Sequence, residues 1–141
     1  MNEPRPFSES LYDGMSSEHI LSHIILAPGP GLETATLPAH FWNWERHLPR
    51  DHGAKFLALY LQLRWFVQRY GPCLTTTESI AEWLGLPAWV VDWGGTDMLD
   101  AGFLAREESA YRHPETGRLL RGADRIVVLE VPPEPRAPLT C

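Results

Sequence analysis

Apolar positions along the chain fall into three kinds of pattern, and each predicts a different element. From Ala54 to Tyr70 the run AKFLALYLQLRWFVQRY places Phe56, Leu59, Tyr60, Leu63, Phe66, Val67 and Tyr70 at three- and four-residue spacing, one face of a helix. Leu57, Leu61 and Trp65 add a second apolar face, so this helix is expected at the centre of the fold. Asp51 is placed to cap its start and Gly71-Pro72 to stop it. The second pattern runs from Thr77 to Leu104, TESIAEWLGLPAWVVDWGGTDMLDAGFL, and is punctuated by glycine. Ile80, Ala81 and Leu84 make one helical face, Gly85 closes it, and Pro87 opens a second helix. Val90, Val91, Met98 and Leu99 carry the apolar face onward to a stop at Gly102. Thr75 and Glu78 have the Thr-x-x-Glu spacing of a capping box. The third pattern is β-branched: Ile126 to Val131, IVVLEV, predicts a strand. Before it, the turn signal His113–Gly117 separates Ala105–Tyr111 from a returning strand at 118–120, a hairpin.

The remaining segments are less regular. Residues 1–15 read as a loose arm. Ile20, Leu21, Ile24, Ile25 and Leu26 have helical spacing, which favours a helix over a strand, although their β-branched pairs argue the other way. On such a helix His19 and His23 would sit one turn apart, with no third metal ligand in view. Ala27-Pro28-Gly29-Pro30-Gly31 is a loop signal, and Leu37 should be extended because it precedes Pro38. Phe41-Trp42-Asn43-Trp44 carries three large aromatics in four residues. They cannot all face one core, so the segment is either sandwiched or leaves one Trp exposed to anchor a partner. Cys73-Leu74 suits a short edge strand beside the hairpin. The tail, PPEPRAPLTC, is expected to dangle.

A helix, a Gly turn, a helix, a Gly stop and an apolar pair entering a hairpin together resemble the winged helix-turn-helix superfamily, with IAEWLGL as first helix and a second ending in LDAGFL. The resemblance implies an α+β fold: a single winged-helix-like domain of helices plus a C-terminal β-hairpin, with an N-terminal extension. Residues 16–131 would form the domain, with helix-turn-helix 77–102 and wing 103–131. Residues 1–15 would be a flexible arm and 132–141 a disordered Pro-rich tail. In this superfamily the second helix normally enters the DNA major groove with polar and basic side chains. Here it offers Pro87, Ala88, Trp89, Asp92, Trp93, Gly94, Gly95, Thr96 and Asp97, and no Lys or Arg occurs between Arg69 and Arg106.

Charge points the same way. The 141 residues carry a formal net charge of −6, and the field of an acidic chain opposes approach to phosphates, whose binding rests on Lys and Arg releasing counterions. One Lys stands against eleven Arg, and Asn plus Gln number four, a bias that fits a GC-rich genome or a hot-living source. Two cysteines, Cys73 and Cys141, make neither a disulfide framework nor a zinc site. The chain has no apolar run near the length of a membrane span and no signal-peptide pattern, so the cytoplasm is the expected compartment, host cytoplasm if the protein is phage-encoded.

No nucleophile elbow, phosphate loop or paired metal-ligand motif is present, so no enzymatic activity, cofactor or metal is expected. A pocket gathering His40, His47 and His52 with an acid would change that. Asp92, Asp97 and Asp100 read as solvated helix acids. Gly94-Gly95 in mid-helix suggest a bend, an early end, or a close approach of another backbone. The candidate partner-binding residues are Trp83, Trp89, Trp93, Trp42 and Trp44, with Arg106, Arg112, Arg118 and Arg121 of the wing in support. Trp89 and Trp93, four apart, would form one ridge with acidic surroundings, the composition of a protein-binding hot spot. Length, acidity and single-domain build also resemble small phage-encoded factors that bind host RNA polymerase, including those from phages of thermophilic bacteria. The expected function is therefore regulation of promoter use or termination through contact with the transcription machinery. The alternative is a dimeric DNA-binding repressor or replication initiator using Thr96 and the wing arginines. Oligomeric state stays open.

Overall fold

A computed structural model describes residues 5–6, 23–48, 52–108, 110–112 and 115–134, with backbone alone for 5–6, 110–112 and 119–121. The arm beyond residues 5–6, His19, Asp51 and Cys141 lie outside the described residues. The fold is α+β, a single small domain. Its elements are β1 (Arg5–Pro6), β2 (Ile24–Pro28), a 3-10 helix (Ala39–Arg46), α1 (Gly53–Tyr70), β3 (Cys73–Thr75), α2 (Thr77–Leu84), α3 (Ala88–Ala101), β4 (Leu104–Glu107), β5 (Ala110–Arg112), β6 (Leu119–Arg121) and β7 (Asp124–Val128).

Five strands form one sheet in the order β1-β3-β2-β7-β4, and β5 pairs with β6 in a separate hairpin. Within the large sheet β2 and β7 run parallel, Ile24 opposite Asp124 and Leu26 opposite Ile126, while the other pairs are antiparallel. Two expectations are corrected here. Ile24–Leu26 belong to a strand, because the β-branched pairs extend the backbone beside β7 despite their helical spacing. Cys73–Thr75 is an interior strand between β1 and β2, not an edge strand beside the hairpin. The strongest predicted strand holds, shifted to Asp124–Val128, and β4 pairs with it rather than with the hairpin. A hairpin forms with Tyr111 opposite Leu120, but its strands are only Ala110–Arg112 and Leu119–Arg121, since 105–107 of the expected first strand belong to β4 in the large sheet.

Helix α1 lies against this sheet and its predicted face is the core. Phe56, Leu59, Tyr60, Leu63, Phe66 and Val67 are buried, together with Leu57 of the second face; Tyr70 and Trp65 are exposed. Tyr60 meets Phe103 at 5.0 Å and Phe41 at 5.8 Å, and Trp44 meets Phe103 at 5.2 Å. These four rings tie the 3-10 helix, α1 and the end of α3 into one aromatic cluster with the offset and edge geometries rings prefer. The aromatic segment thus resolves by its 3-10 period, which turns Phe41 and Trp44 inward and leaves Trp42 58% exposed. Arg64 is buried along α1; its guanidinium donates to the Tyr60 hydroxyl at 3.2 Å and to the Ala35 carbonyl at 2.6 Å. The Tyr60 hydroxyl donates in turn to the Leu129 carbonyl at 2.6 Å. Burial pushes the Tyr60 hydroxyl pKa up, with Arg64 opposing.

Helix boundaries are set by local chemistry. Gly71, Gly85 and Gly102 end α1, α2 and α3 with positive φ, the last two in the left-handed conformation that favours glycine. Thr76, not Thr75, caps α2, its hydroxyl accepting from the Ser79 N–H at 3.0 Å. Helix α1 starts at Gly53 with His52 in the cap position and no side-chain cap bond. The start of the tail does not dangle: the Pro132 carbonyl is 2.7 Å from His40 Nε2, and Asn43 Nδ2 donates to Glu134 at 2.6 Å. Proline lacks an N–H donor but keeps its carbonyl, and that of Pro132 docks on the 3-10 helix.

Candidate functional site

Helix α3 meets α1 at Gly94. A Cβ there would fall 2.7 Å from Leu59 Cδ2 and 3.0 Å from Phe56 Cδ1, so the glycine lets the two helices approach closely. The helix runs on through Gly94-Gly95, so it does not end early there, and what comes close to Gly94 is the Leu59 and Phe56 side chains, not another backbone, while Gly95 meets nothing within 4 Å. Contact at Gly94 also sets the roll of α3. Val90, Val91, Gly94, Asp97 and Met98 turn inward, and Trp89, Asp92, Trp93, Thr96 and Asp100 form the exposed stripe. Asp97, expected among the solvated acids, is buried on this inward face.

Trp89 and Trp93 are 37% and 51% exposed, and their rings stand edge to face at 6.1 Å. Trp89 rests on His52 at 5.2 Å, and Lys55 Nζ lies 5.1 Å from its ring centroid, a cation–π contact worth about 0.5–1 kcal/mol at an exposed site. The ridge is therefore held at its base by the first turn of α1, while Trp93 projects beyond it. Asp92 lies beside it with Asp100 further along, and α3 carries no basic residue.

Trp83 belongs to a second aromatic patch. It is half-buried, stacks on Trp65 at 5.9 Å and 16°, and meets Phe66 at 4.5 Å. Trp65 and Tyr70, which helical spacing alone assigned to apolar faces of α1, are exposed at this patch. Trp42 is exposed on the 3-10 helix. Trp44 is corrected: at 5% exposure it is a core residue packed on Phe103 and out of reach of a partner.

The arginines do not act as one wing set. Arg106 lies on β4 in the large sheet and pairs through Nε with Asp124 at 3.2 Å; it is not on the hairpin. Arg118 is exposed beside β6, while the side chains of Arg112 and Arg121 on the hairpin strands lie outside the description. Nor do the three histidines converge. His40 is engaged by Pro132, His52 by Trp89, and the cavity that His52 lines contains Glu45 and Lys55 but neither of the other two. Among the described residues no cluster of three His, Cys, Asp or Glu is arranged to hold a metal ion, and no helix is long and apolar enough to cross a membrane. Burial raises the pKa of the free Cys73 thiol, which keeps it protonated. No family model, curated protein or solved structure matches this chain.

Proposed function

We propose that this protein is a transcription-regulatory module that works by docking another protein with the Trp89–Trp93 ridge of α3, and that its partner is RNA polymerase. The observation that carries the reading is the exposed stripe of α3. Two adjacent indoles stand on it beside Asp92, with Asp100 further along and no Lys or Arg on the helix. Indoles that give up water at the centre of an interface dominate binding energy, whereas carboxylates beside phosphates are repelled. Choice of RNA polymerase rests on the length, acidity, Arg-over-Lys bias and single-domain build, which resemble small phage-encoded factors that bind host RNA polymerase. Arg118 on the hairpin and the Trp65–Trp83 patch would support the contact at its rim.

The test is binding of the full chain to purified bacterial RNA polymerase and, separately, to duplex DNA, using wild type and the Trp89→Ala/Trp93→Ala double variant. Both rings are substantially exposed, so the variant should fold. Loss of a hot spot of about 2 kcal/mol predicts roughly 30-fold weaker polymerase binding. Polymerase binding that the double substitution leaves unchanged would remove the ridge from the interface. Binding to DNA alone, falling steeply with salt, would replace this reading by direct DNA recognition.

A further inference from the structure

Between the helices and the large sheet lies a cavity of about 320 Å³ that the docking ridge does not touch. Its buried walls are Leu26 of β2, Leu59 and Leu63 of α1, Ile80 of α2, Val91 of α3 and Leu104 of β4. Its polar lining residues are Thr77, Asp92, Thr96 and Arg106, all four solvent-exposed. Apolar inside and polar at the rim, it has the size and composition of a small-molecule site.

Gly95 supplies an independent observation. A glycine in mid-helix is destabilising relative to alanine. At Gly94 the close packing of Leu59 and Phe56 accounts for it. At Gly95 a Cβ would meet nothing within 4 Å, yet this residue lines the cavity. No contact within the fold requires a glycine there. Bare helix backbone at a cavity wall is what close approach of a ligand requires.

We propose that this cavity binds a small amphipathic ligand, an apolar chain carrying a carboxylate, with the chain against Gly95 and the head at Arg106. A guanidinium presents five N–H donors in a planar fork. Arg106 commits Nε to Asp124, its one ion pair among the described residues, and 59% of its side chain is exposed. The rest of the fork suits bidentate recognition of a carboxylate. Thr96 donates its hydroxyl to the Asp92 carbonyl. Asp92 would favour an amine instead, so head-group preference is the discriminating measurement.

Calorimetric titration of the full chain with octanoate, octanol and octylammonium, each below its micelle concentration, tests this. Wild type should bind octanoate saturably, one per chain, and more tightly than octanol or octylammonium. Gly95→Leu places a side chain in the cavity and should weaken binding tenfold or more; Gly95→Ala is the smaller version, with circular dichroism confirming the fold of each. Arg106→Gln should abolish the preference for octanoate over octanol. Trp89→Ala/Trp93→Ala should bind octanoate as wild type does, which separates this site from the docking ridge. The proposal is overturned by no saturable binding of any probe, by octanoate binding that Gly95→Leu leaves intact, or by its loss in the tryptophan variant. Preference for octylammonium would overturn the head-group assignment and transfer it to Asp92.

Discussion

Adjacent glycines in α3 offer a controlled comparison, because Gly94→Ala and Gly95→Ala make the same chemical change one residue apart. Each gains about 0.5–1 kcal/mol from lower backbone entropy in the unfolded chain and better helix propensity. Only the first meets an obstacle. Its new methyl would lie 2.7 Å from Leu59 Cδ2 and 3.0 Å from Phe56 Cδ1, against about 3.5–4.0 Å for carbon atoms at rest. Leu59 can yield toward the cavity it lines, but the fully enclosed Phe56 ring cannot. The steric term then belongs at the lower end of the overpacking range, about 1–2 kcal/mol. Since the propensity gain is common to both, the difference between the two variants isolates that term. Gly95→Ala should be more stable than wild type by about 0.5–1 kcal/mol, and Gly94→Ala less stable by up to about 1.5 kcal/mol. Urea denaturation with unchanged m-values measures both. Equal stability of the two alanine variants would refute the close α1–α3 approach, and with it the roll of α3 that exposes the tryptophans.

Two further substitutions probe the scaffold. At Gly53 a Cβ would overlap the Glu45 main-chain carbonyl, with the Glu45 C and Cα at 2.8 and 2.9 Å. A main chain yields less readily than a side-chain tip, so Gly53→Ala should cost about 3 kcal/mol, the upper end for overpacking; a loss under about 1 kcal/mol in denaturant titration contradicts this contact. Tyr60→Phe removes a hydroxyl that donates to Leu129 and accepts from Arg64, a loss of about 1–2 kcal/mol at neutral pH. Because burial raises the Tyr60 pKa, the unfolded chain ionises first as pH climbs past about 10. The tyrosine's contribution is therefore whole below that pH and declines above it. The stability gap between wild type and Tyr60→Phe should narrow in alkali, and a gap constant to high pH would contradict the burial.

Local signals made much of this fold readable before any coordinates. The seven-residue face of α1, Phe56 to Tyr70, runs over about four turns, long enough that no strand could mimic it, and the helix begins one residue from where its pattern does. Gly85 and Gly102 mark their own positions because few residues other than glycine accept left-handed φ. What was hidden depends on distant partners. Ile24–Leu26 carries helical spacing and becomes a strand only because β7, a hundred residues away, supplies a parallel ladder. Cys73–Thr75 is too short for a periodicity and owes its interior place to β1 and β2. Thr75 and Glu78 have the spacing of a capping box, yet the hydroxyl that accepts a first-turn N–H is that of Thr76. Pro132 reads as a breaker in sequence, yet its carbonyl finds His40.

The tryptophans show most clearly where sequence reading ends. Trp44 and Trp42 lie two apart on one turn, and three-residue periodicity sends the first inward and the second outward. Trp89 and Trp93 share a face by their spacing, but spacing does not say whether that face is core or surface. The answer lies in Gly94. Its missing side chain is the one place where α3 can sit closely on Phe56 and Leu59, and that contact turns 90, 91, 94, 97 and 98 inward together. Trp89 and Trp93 are then carried outward whatever their own preference for burial. A larger side chain at position 94 would have held α3 farther from α1 and rolled the helix. The pair of glycines therefore does two jobs with one local signature: Gly94 decides which side chains face a partner, and Gly95 decides how much room remains beneath them. A protein partner at the tryptophans and a small ligand at Gly95 would meet neighbouring faces of the same helix, with Asp92 and Thr96 at their border.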